Sequence, residues 1–265
     1  EVSTSVSAAT PSSRPAPTMD SISNFRELGG LPADNGSVAP GRLFRSGHLG
    51  AMSDADSARF ADHGIRTIVD LRSDGDIESE GSDRVPPGVT HHRVPILDDA
   101  GRGDDLRAII MRGDIDELRE MMGDGRGHQI ALDGAAEFVA NTDRMASFAQ
   151  AMAIVTEPDN WPVIWHCSAG KDRAGWVGTS VLLAVGAPTQ VIVHHYLQSN
   201  EARGTRALFK DGELKDLIRP FLEVHEDYIR AQLAVVNDQW GGVVGLFHDG
   251  YGLDAGSLDR RRSAV

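Results

Sequence analysis

The residues best suited to chemistry form one short segment, His166-Cys167-Ser168-Ala169-Gly170-Lys171-Asp172-Arg173. Cys167 is the only cysteine of the chain, and it stands six positions before Arg173 in a Cys-x5-Arg spacing. An apolar run over residues 163–165 predicts a buried strand before the segment, and a helix is predicted from about Arg173 to Val185. A thiol placed between a strand and a helix N-terminus suits nucleophilic attack on a bound anion.

The loop itself is predicted to bind phosphate. The backbone of residues 168–173 can curl so that successive N–H groups face inward at the positive end of the following helix. Gly170 permits a backbone conformation that residues with a Cβ avoid. Arg173 adds a planar guanidinium that can hold two phosphoryl oxygens at once. The predicted phosphate-binding residues are therefore Ser168, Ala169, Gly170, Lys171, Asp172 and Arg173.

Cys167 is predicted to be the nucleophile. A free thiol has a pKa of about 8.5, which a helix N-terminus and cationic neighbours lower by several units, so a thiolate is expected near neutral pH. The thiolate attacks phosphorus and forms a cysteinyl-phosphate, while Arg173 and the N–H groups stabilise charge on the equatorial oxygens. His166 is expected to orient the loop rather than to move protons. A lone cysteine is more often a small buried hydrophobe, but the flanking residues here favour catalysis.

The elements around the loop alternate between strands and helices. Residues 65–71 and 89–96 predict strands, and apolar residues recur at helical spacing over residues 135–156. Two or three more helices are expected between residues 189 and 237. The predicted fold class is α/β, with a mostly parallel central sheet flanked by helices.

Length and composition restrict the other possibilities. The 265 residues suit a single domain over residues 21–265, and residues 1–20, rich in Ser, Thr, Ala and Pro, are predicted to form a disordered tail. The net charge of -13 disfavours nucleic acid as a partner, and no apolar stretch approaches the ~18 residues of a membrane span. A single cysteine excludes an internal disulfide and a thiolate zinc site. The compartment, cytoplasmic or secreted, is left open.

The segment HCSAGKDRAG resembles the signature of the protein tyrosine phosphatase superfamily, and in particular its atypical bacterial branch. The resemblance covers nearly all of residues 21–265 and rests also on the motifs NFRELGG, LFRSGHL, GIRTIVDLRS and YLQSN. It implies a phosphatase fold with a helical lid over about residues 200–237, no metal, and no other cofactor. It implies activity on phosphotyrosine, with phosphoserine, phosphothreonine or phosphoinositides as further substrates of some relatives. The expected partners are therefore a phosphorylated protein or a phospholipid as substrate, and inorganic phosphate as product.

Two positions in the loop bear on that resemblance. In lipid-directed relatives, a lysine at the position of Lys171 contacts an additional phosphate. The simpler interpretation of Lys171 is that its charge balances nearby carboxylates. Most family members follow the arginine with a hydroxyl residue, which helps the thiolate to leave during hydrolysis. The present chain has Ala174 there, which puts the rate of phosphoenzyme breakdown in question.

The general acid has several candidates. Asp172 lies inside the loop, and the resemblance favours it as the acid or as an essential polar contact. Asp70 ends a predicted parallel strand, at the edge where such sheets bind ligands, and its alternative role is an ion pair with an arginine. Asp98 and Asp99 follow the next strand, where other dual-specificity phosphatases carry their acid, and otherwise form a solvated turn.

The sequence is consistent with four functions. The first is a protein tyrosine phosphatase with relaxed specificity, and the second is a phosphatase of phosphoinositides or inositol phosphates, which only Lys171 supports. The third is a phosphate-binding module without activity, which Ala174 leaves open and which Cys167 and Arg173 oppose. A sulfurtransferase is a remote fourth, because those enzymes use a shorter cysteine loop.

The histidine pairs at 91–92 and 194–195 are not expected to chelate a metal, because adjacent side chains diverge.

Overall fold

A five-stranded sheet forms the centre of the fold in the computed structural model, which describes residues 19–97, 109–110, 112–201 and 211–253. Across the sheet the strands are β1 (Arg26–Glu27), β4 (Leu43–Ser46), β7 (Val163–His166), β5 (Thr67–Asp70) and β6 (Thr90–Arg93). A separate hairpin pairs β2 (Pro32–Ala33) with β3 (Gly36–Ser37). Only β1 runs antiparallel to its neighbour in the five-stranded sheet, so the predicted mostly parallel sheet is confirmed.

The longer helices of the described residues surround this sheet. They are α1 (Asp54–Asp62), α2 (Asp74–Glu80), α3 (Ile115–Met122), α4 (Arg126–Ala140), α5 (Thr142–Val155), α6 (Arg173–Ala184), α7 (Thr189–Leu197), α8 (Glu213–Leu222) and α9 (Glu226–Asp238). Short helical turns follow over residues 243–250. Within the described ranges, no helix has both the length and the apolar character that a membrane crossing requires.

Both faces of the sheet are buried, as the apolar strand sequences predict. On one face, Phe44, Ile68 and Ile164 pack in a cluster with Phe60 of α1. On the other face, Val163 and Trp165 belong to the main core, to which α5 and α6 contribute. Successive residues of β7 thus point into opposite layers, and helices cover each layer.

Helix α6 begins at Arg173 and ends at Ala184, close to the predicted bounds, and α7, α8 and α9 lie in the region after residue 189 where two or three helices are expected. The prediction of one helix over residues 135–156 is wrong, because α4 ends at Ala140 and α5 begins at Thr142. Asn141, which lies between them, adopts an extended backbone conformation, and its side chain accepts hydrogen bonds from the first amides of α5. An asparagine side chain competes in this way with the helical backbone bonds, so it caps a new helix where the apolar period runs on.

The register of the parallel strands sets the position of the candidate site. Ser46, Asp70 and Arg93 lie level with His166 at the carboxyl ends of their strands. Strand β7 is the last of these in the chain but lies between β4 and β5, so the segment after it leaves from the middle of this edge. Open parallel sheets bind ligands at such a crossover point.

Helices α3 and α8 form a small hydrophobic cluster of their own, apart from the main core. Its buried members are Ile109, Leu118, Met122 and Ile218. Residues 1–18 of the predicted tail and residues 202–210 of the predicted lid lie outside the described residues. The lid and the single-domain boundaries stay predictions.

A buried hydrogen-bond group joins the last described segment to α6 and gives a stability prediction. Tyr251 Oη accepts from Trp176 Nε1 at 3.0 Å and lies 2.7 Å from Ser180 Oγ. Tyr251→Phe would leave both partners buried and unsatisfied, so we expect the free energy of unfolding in urea to fall by about 1–3 kcal/mol. Ser180→Ala in the Tyr251→Phe background should then cost less than it does in the parent protein. A loss below about 0.5 kcal/mol in Tyr251→Phe would contradict the assignment.

Candidate active site

The loop that follows β7 has Cys167 at its start and Arg173 at its end, where α6 begins. Gly170 has a φ of +68°, and a Cβ there would lie 2.4 Å from the main-chain carbonyl of Ser46 and 2.5 Å from the amide nitrogen of Gly47. Glycine is therefore needed both for its backbone conformation and for its close approach to the end of β4. The loop rests directly on that strand.

The carbonyl oxygens of the loop are held by donors from other parts of the chain. Asn24 Nδ2 donates to the oxygens of Gly170 at 2.8 Å and Ala169 at 3.2 Å. The amide of His48 donates to the oxygen of Ser168 at 3.0 Å. In a planar trans peptide the N–H points opposite to the C=O, so these contacts turn the following N–H groups away from the donors. This is the arrangement that an anion-binding loop requires.

Arg45 continues this support beneath the loop. Its Nη2 donates to the oxygens of Gly170 at 2.5 Å and Lys171 at 3.2 Å, and its side chain is fully buried. Gly175 and Gly178 on α6 make room for the guanidinium, because a Cβ at either would lie 3.2 or 3.4 Å from one of its nitrogens. The helix after the loop is thus shaped to accept a buried cation.

The charge of Arg45 has little local compensation. Burial lowers its pKa to about 10, and Coulombic interactions with Cys167, Tyr196 and Asp172 oppose that shift. Among the described residues, its Nε and Nη1 have no hydrogen-bond partner. A positive charge therefore remains under the loop at neutral pH and favours a bound anion above it. Sequence reasoning did not assign Arg45 or Asn24 a role, although both lie in motifs that carried the family resemblance.

Asp76 positions Arg173. Its Oδ2 accepts from Arg173 Nη1 at 2.6 Å, and Arg173 Nη2 donates to Ser168 Oγ at 3.1 Å. Burial raises the pKa of Asp76, but the hydrogen bond and charge of Arg173, with two hydrogen bonds from Ser73, outweigh burial and lower it to about 2. Asp76 was missed at the sequence level, although Ser73 and Asp76 form a capping box that could have indicated the helix start after β5.

Asp70 lies at the predicted edge but is engaged by an arginine. Its two oxygens accept from Arg72 Nε and Nη2, each at 3.0 Å, and both side chains are buried. His166 Nδ1 lies 3.8 Å from Asp70 Oδ1. This geometry matches the alternative role of Asp70, an ion pair with an arginine.

A second buried carboxylate, Asp83, was also missed. It accepts from Arg72 Nη2 at 2.8 Å and contacts the Nε2 atoms of His166 at 2.8 Å and His91 at 3.1 Å. Asp70, Asp83, His91 and His166 place ligand atoms within 4.8 Å of one another, close enough for a metal ion. Arg72 bonds to both carboxylates, however, so it already supplies positive charge among them. No distinct sequence motif marks Asp83.

Lys171 and Asp172, the two residues before Arg173, differ in exposure, since Lys171 is buried. Asp172 is half-exposed, with Lys171 Nζ 3.5 Å from its Oδ2. Lys171 Nζ also donates to the oxygen of Phe221 at the end of α8, at 2.6 Å. Burial and then the charges of Asp227 and Asp172 raise the pKa of Tyr228, so this tyrosine lies within electrostatic reach of Asp172. The other acid candidates, at positions 98 and 99, lie outside the described residues.

Comparison with known proteins points to one family. The family model described as "Tyrosine phosphatase family" matches residues 17–265. The chain is 30% identical over 275 residues to the triple specificity protein phosphatase PtpB of Mycobacterium tuberculosis, covering 91% of this chain and 96% of that protein. It is 27% identical over 229 residues to a tyrosine-protein phosphatase of Nostoc commune, covering 81% and 71%. The core catalytic domain of the PP-IP phosphatase SIW14 from S. cerevisiae aligns with a TM-score of 0.37 and 13% identity, over 75% of this chain and 93% of that one.

The ion pair beneath Arg173 gives a prediction for turnover. Asp76→Asn preserves the size of the side chain but removes the charge that fixes the guanidinium, so we expect kcat for an aryl phosphate to fall about 10- to 100-fold. Asp74→Asn is the matched control, because Asp74 lies in the same first helical turn but is exposed and pairs with Arg93. Equal losses in the two variants would show that the helix charge, and not the contact with Arg173, is responsible.

Proposed function

The chain belongs to the tyrosine phosphatase family, and we propose that it hydrolyses phosphomonoesters through a cysteinyl-phosphate on Cys167. The observation that carries this proposal is the loop whose carbonyl oxygens are bound from beneath by Asn24, Arg45 and the amide of His48. The opposite face of such a loop offers N–H groups to a phosphoryl group, with Cys167 at one end of the loop and Arg173 at the other.

The reaction proceeds in two steps. The Cys167 thiolate attacks phosphorus in line with the leaving oxygen, the P–O bond breaks, and the phosphoryl group is transferred to sulfur. Arg173 and the loop amides stabilise the charge that spreads over the equatorial oxygens. Water then attacks the cysteinyl-phosphate, which releases inorganic phosphate and restores the thiolate.

Asp172 is the residue that we propose as general acid for the leaving oxygen. It directly precedes Arg173 in the loop, and its side chain is more than half exposed, at 57%, so it can reach a substrate from the solvent side. Asp70 is less suited to this role, because both of its oxygens are bonded to buried Arg72. The role of Asp98 or Asp99 as acid stays an alternative prediction.

The proposed substrates are phosphotyrosine in proteins and further phosphomonoesters, in keeping with the name of the mycobacterial relative as a triple specificity phosphatase. Lys171 would have to release the Phe221 oxygen before it could contact a second phosphate, so it gives no specific support to a preference for phosphoinositides. The same hydrogen bond ties the loop to α8, which supports the prediction that this region forms a lid.

A comparison of substrates tests the proposal. We expect phosphate release from a phosphotyrosine peptide, with slower release from a phosphoserine peptide and from phosphoinositide vesicles, all in the presence of chelator. Cys167→Ser should abolish release from every substrate, because a serine alkoxide is not accessible near neutral pH, yet should still bind vanadate. Retained activity in Cys167→Ser would exclude Cys167 as nucleophile.

The residue after the arginine gives a kinetic prediction. Ala174 is fully buried, and Ser168 Oγ, a nearby hydroxyl, is engaged by Arg173. If the missing hydroxyl slows hydrolysis of the cysteinyl-phosphate, rapid mixing with an aryl phosphate should show a burst of phenol before the steady state. Ala174→Ser, the smallest change that restores a hydroxyl, should shrink the burst and raise the steady-state rate. The absence of a burst in the parent would mean that Ala174 does not limit turnover.

A further inference from the structure

Asp83 is a buried carboxylate on which four donors converge, just beneath the residue that precedes the nucleophile. One oxygen accepts from the amide of Leu49 at 3.1 Å and from Arg72 Nη2 at 2.8 Å. The other contacts the Nε2 atoms of His166, at 2.8 Å, and His91, at 3.1 Å. Asp83 and His166 are both buried, with side chains 1% and 0% exposed, so this contact is shielded from solvent. None of the roles derived above uses it.

The hydrogen bonds limit the protonation of His166. An ionised carboxylate can only accept, so His166 Nε2 must carry a proton to bond to Asp83. Nδ1 lies 3.3 Å from the carbonyl oxygen of Cys167, which is also only an acceptor, and 3.8 Å from Asp70 Oδ1. That contact is a hydrogen bond only if Nδ1 carries a proton as well. The geometry at both nitrogens therefore fits an imidazolium.

We propose that Asp83 is a positioning residue that holds His166 as a doubly protonated imidazolium, directed at the main chain of Cys167, and that this charge stabilises the Cys167 thiolate. The inference rests on the proposed function, because it assumes that Cys167 acts as a thiolate. It adds to that function a buried carboxylate that acts on the nucleophile only through the histidine.

The charges around His166 support the proposal. Two carboxylates lie next to it, Asp70 from β5 and Asp83 from the segment before β6. Arg72, from the segment after β5, pairs with both carboxylates, and His91 from β6 contacts Asp83. Two carboxylates and one guanidinium leave a net negative charge in a buried cluster when His91 is neutral, and an imidazolium cancels it. Burial raises the pKa of Asp83, but hydrogen bonds from His166 and His91 and the charges of His166 and Arg72 outweigh it, so that this pKa lies well below its usual range.

Alkylation of the single cysteine tests the proposal, because Cys167 is the only thiol that iodoacetamide can report. In Asp83→Asn we expect the pH midpoint of alkylation to rise by about one unit, since His166 loses the partner that favours its charge. A carboxylate that acted directly through space would have the opposite effect, and its removal would lower the midpoint. An unchanged or lowered midpoint in a folded Asp83→Asn variant therefore overturns the proposal.

Glu80→Gln is the matched control. Glu80 Oε2 also pairs with Arg72 Nη1, at 3.4 Å, so this variant removes a carboxylate from the same arginine while His166 keeps Asp83. We expect its midpoint to stay within about 0.3 units of the parent, and an equal rise in both variants would assign the effect to Arg72 instead. In a His166→Gln background, Asp83→Asn should no longer raise the midpoint, and a further rise there would refute action through the histidine.

A measurement on the unaltered chain decides the matter if Asp83→Asn does not fold. In ¹⁵N-labelled protein, the imidazole resonances of His166 are those lost in His166→Gln. Two protonated ring nitrogens at pH 7 support the proposal, and a single protonated nitrogen overturns it. Neither alkylation nor resonance assignment requires turnover, so a failure here is distinct from a failure of the proposed phosphatase activity, which the substrate comparison detects.

Discussion

The loop between β7 and α6 can present its N–H groups to an anion because its carbonyl oxygens are held from the other side. Peptide planarity links the two, since an oxygen fixed downward directs the next N–H upward. The donors that fix these oxygens are Asn24, which precedes β1, Arg45 in β4, and the amide of His48 just after β4. Asn24 is held in turn by Arg26, whose guanidinium also bonds to Ser199, just after α7. The segment before β1 and the end of β4 together therefore set the geometry of the loop.

The second constraint is charge. The chain carries a net charge of -13, so an anionic substrate must be bound by a local positive field. Arg45 supplies positive charge from beneath the loop, and Arg173 supplies it at the end of the loop. Two carboxylates that follow β5 in the chain hold neighbouring groups in place, since Asp76 bonds to Arg173 and Asp83 bonds to His166. Asp76 and Asp83 accept hydrogen bonds from buried or half-buried cations, so the negative residues near the site orient positive groups. A carboxylate in this arrangement assists anion binding by orienting a positive group, and its own negative charge is already neutralised by that group.

Much of this could be predicted from the sequence, and the limits have physical causes. The Cys-x5-Arg spacing between a strand and a helix indicated the loop, because its function depends on residues that are adjacent in the chain. The partners of the loop could not be predicted in the same way, since Asp76 lies 97 positions from Arg173 and Asp83 lies 83 positions from His166. Asn141 shows the corresponding limit for secondary structure, because regular spacing of apolar residues gives no sign of a helix cap that lies between them.

Arg45 shows how the fold and the site depend on each other. A fully buried guanidinium whose Nε and Nη1 have no partner among the described residues is unfavourable in an apolar interior. The dipoles of two loop carbonyls compensate it in part, and Gly175 and Gly178 leave the space that it needs. A bound phosphoryl group above the loop would compensate it further. The same buried charge that is unfavourable in the empty fold thus favours a bound anion, so stability and anion affinity are coupled through this one side chain.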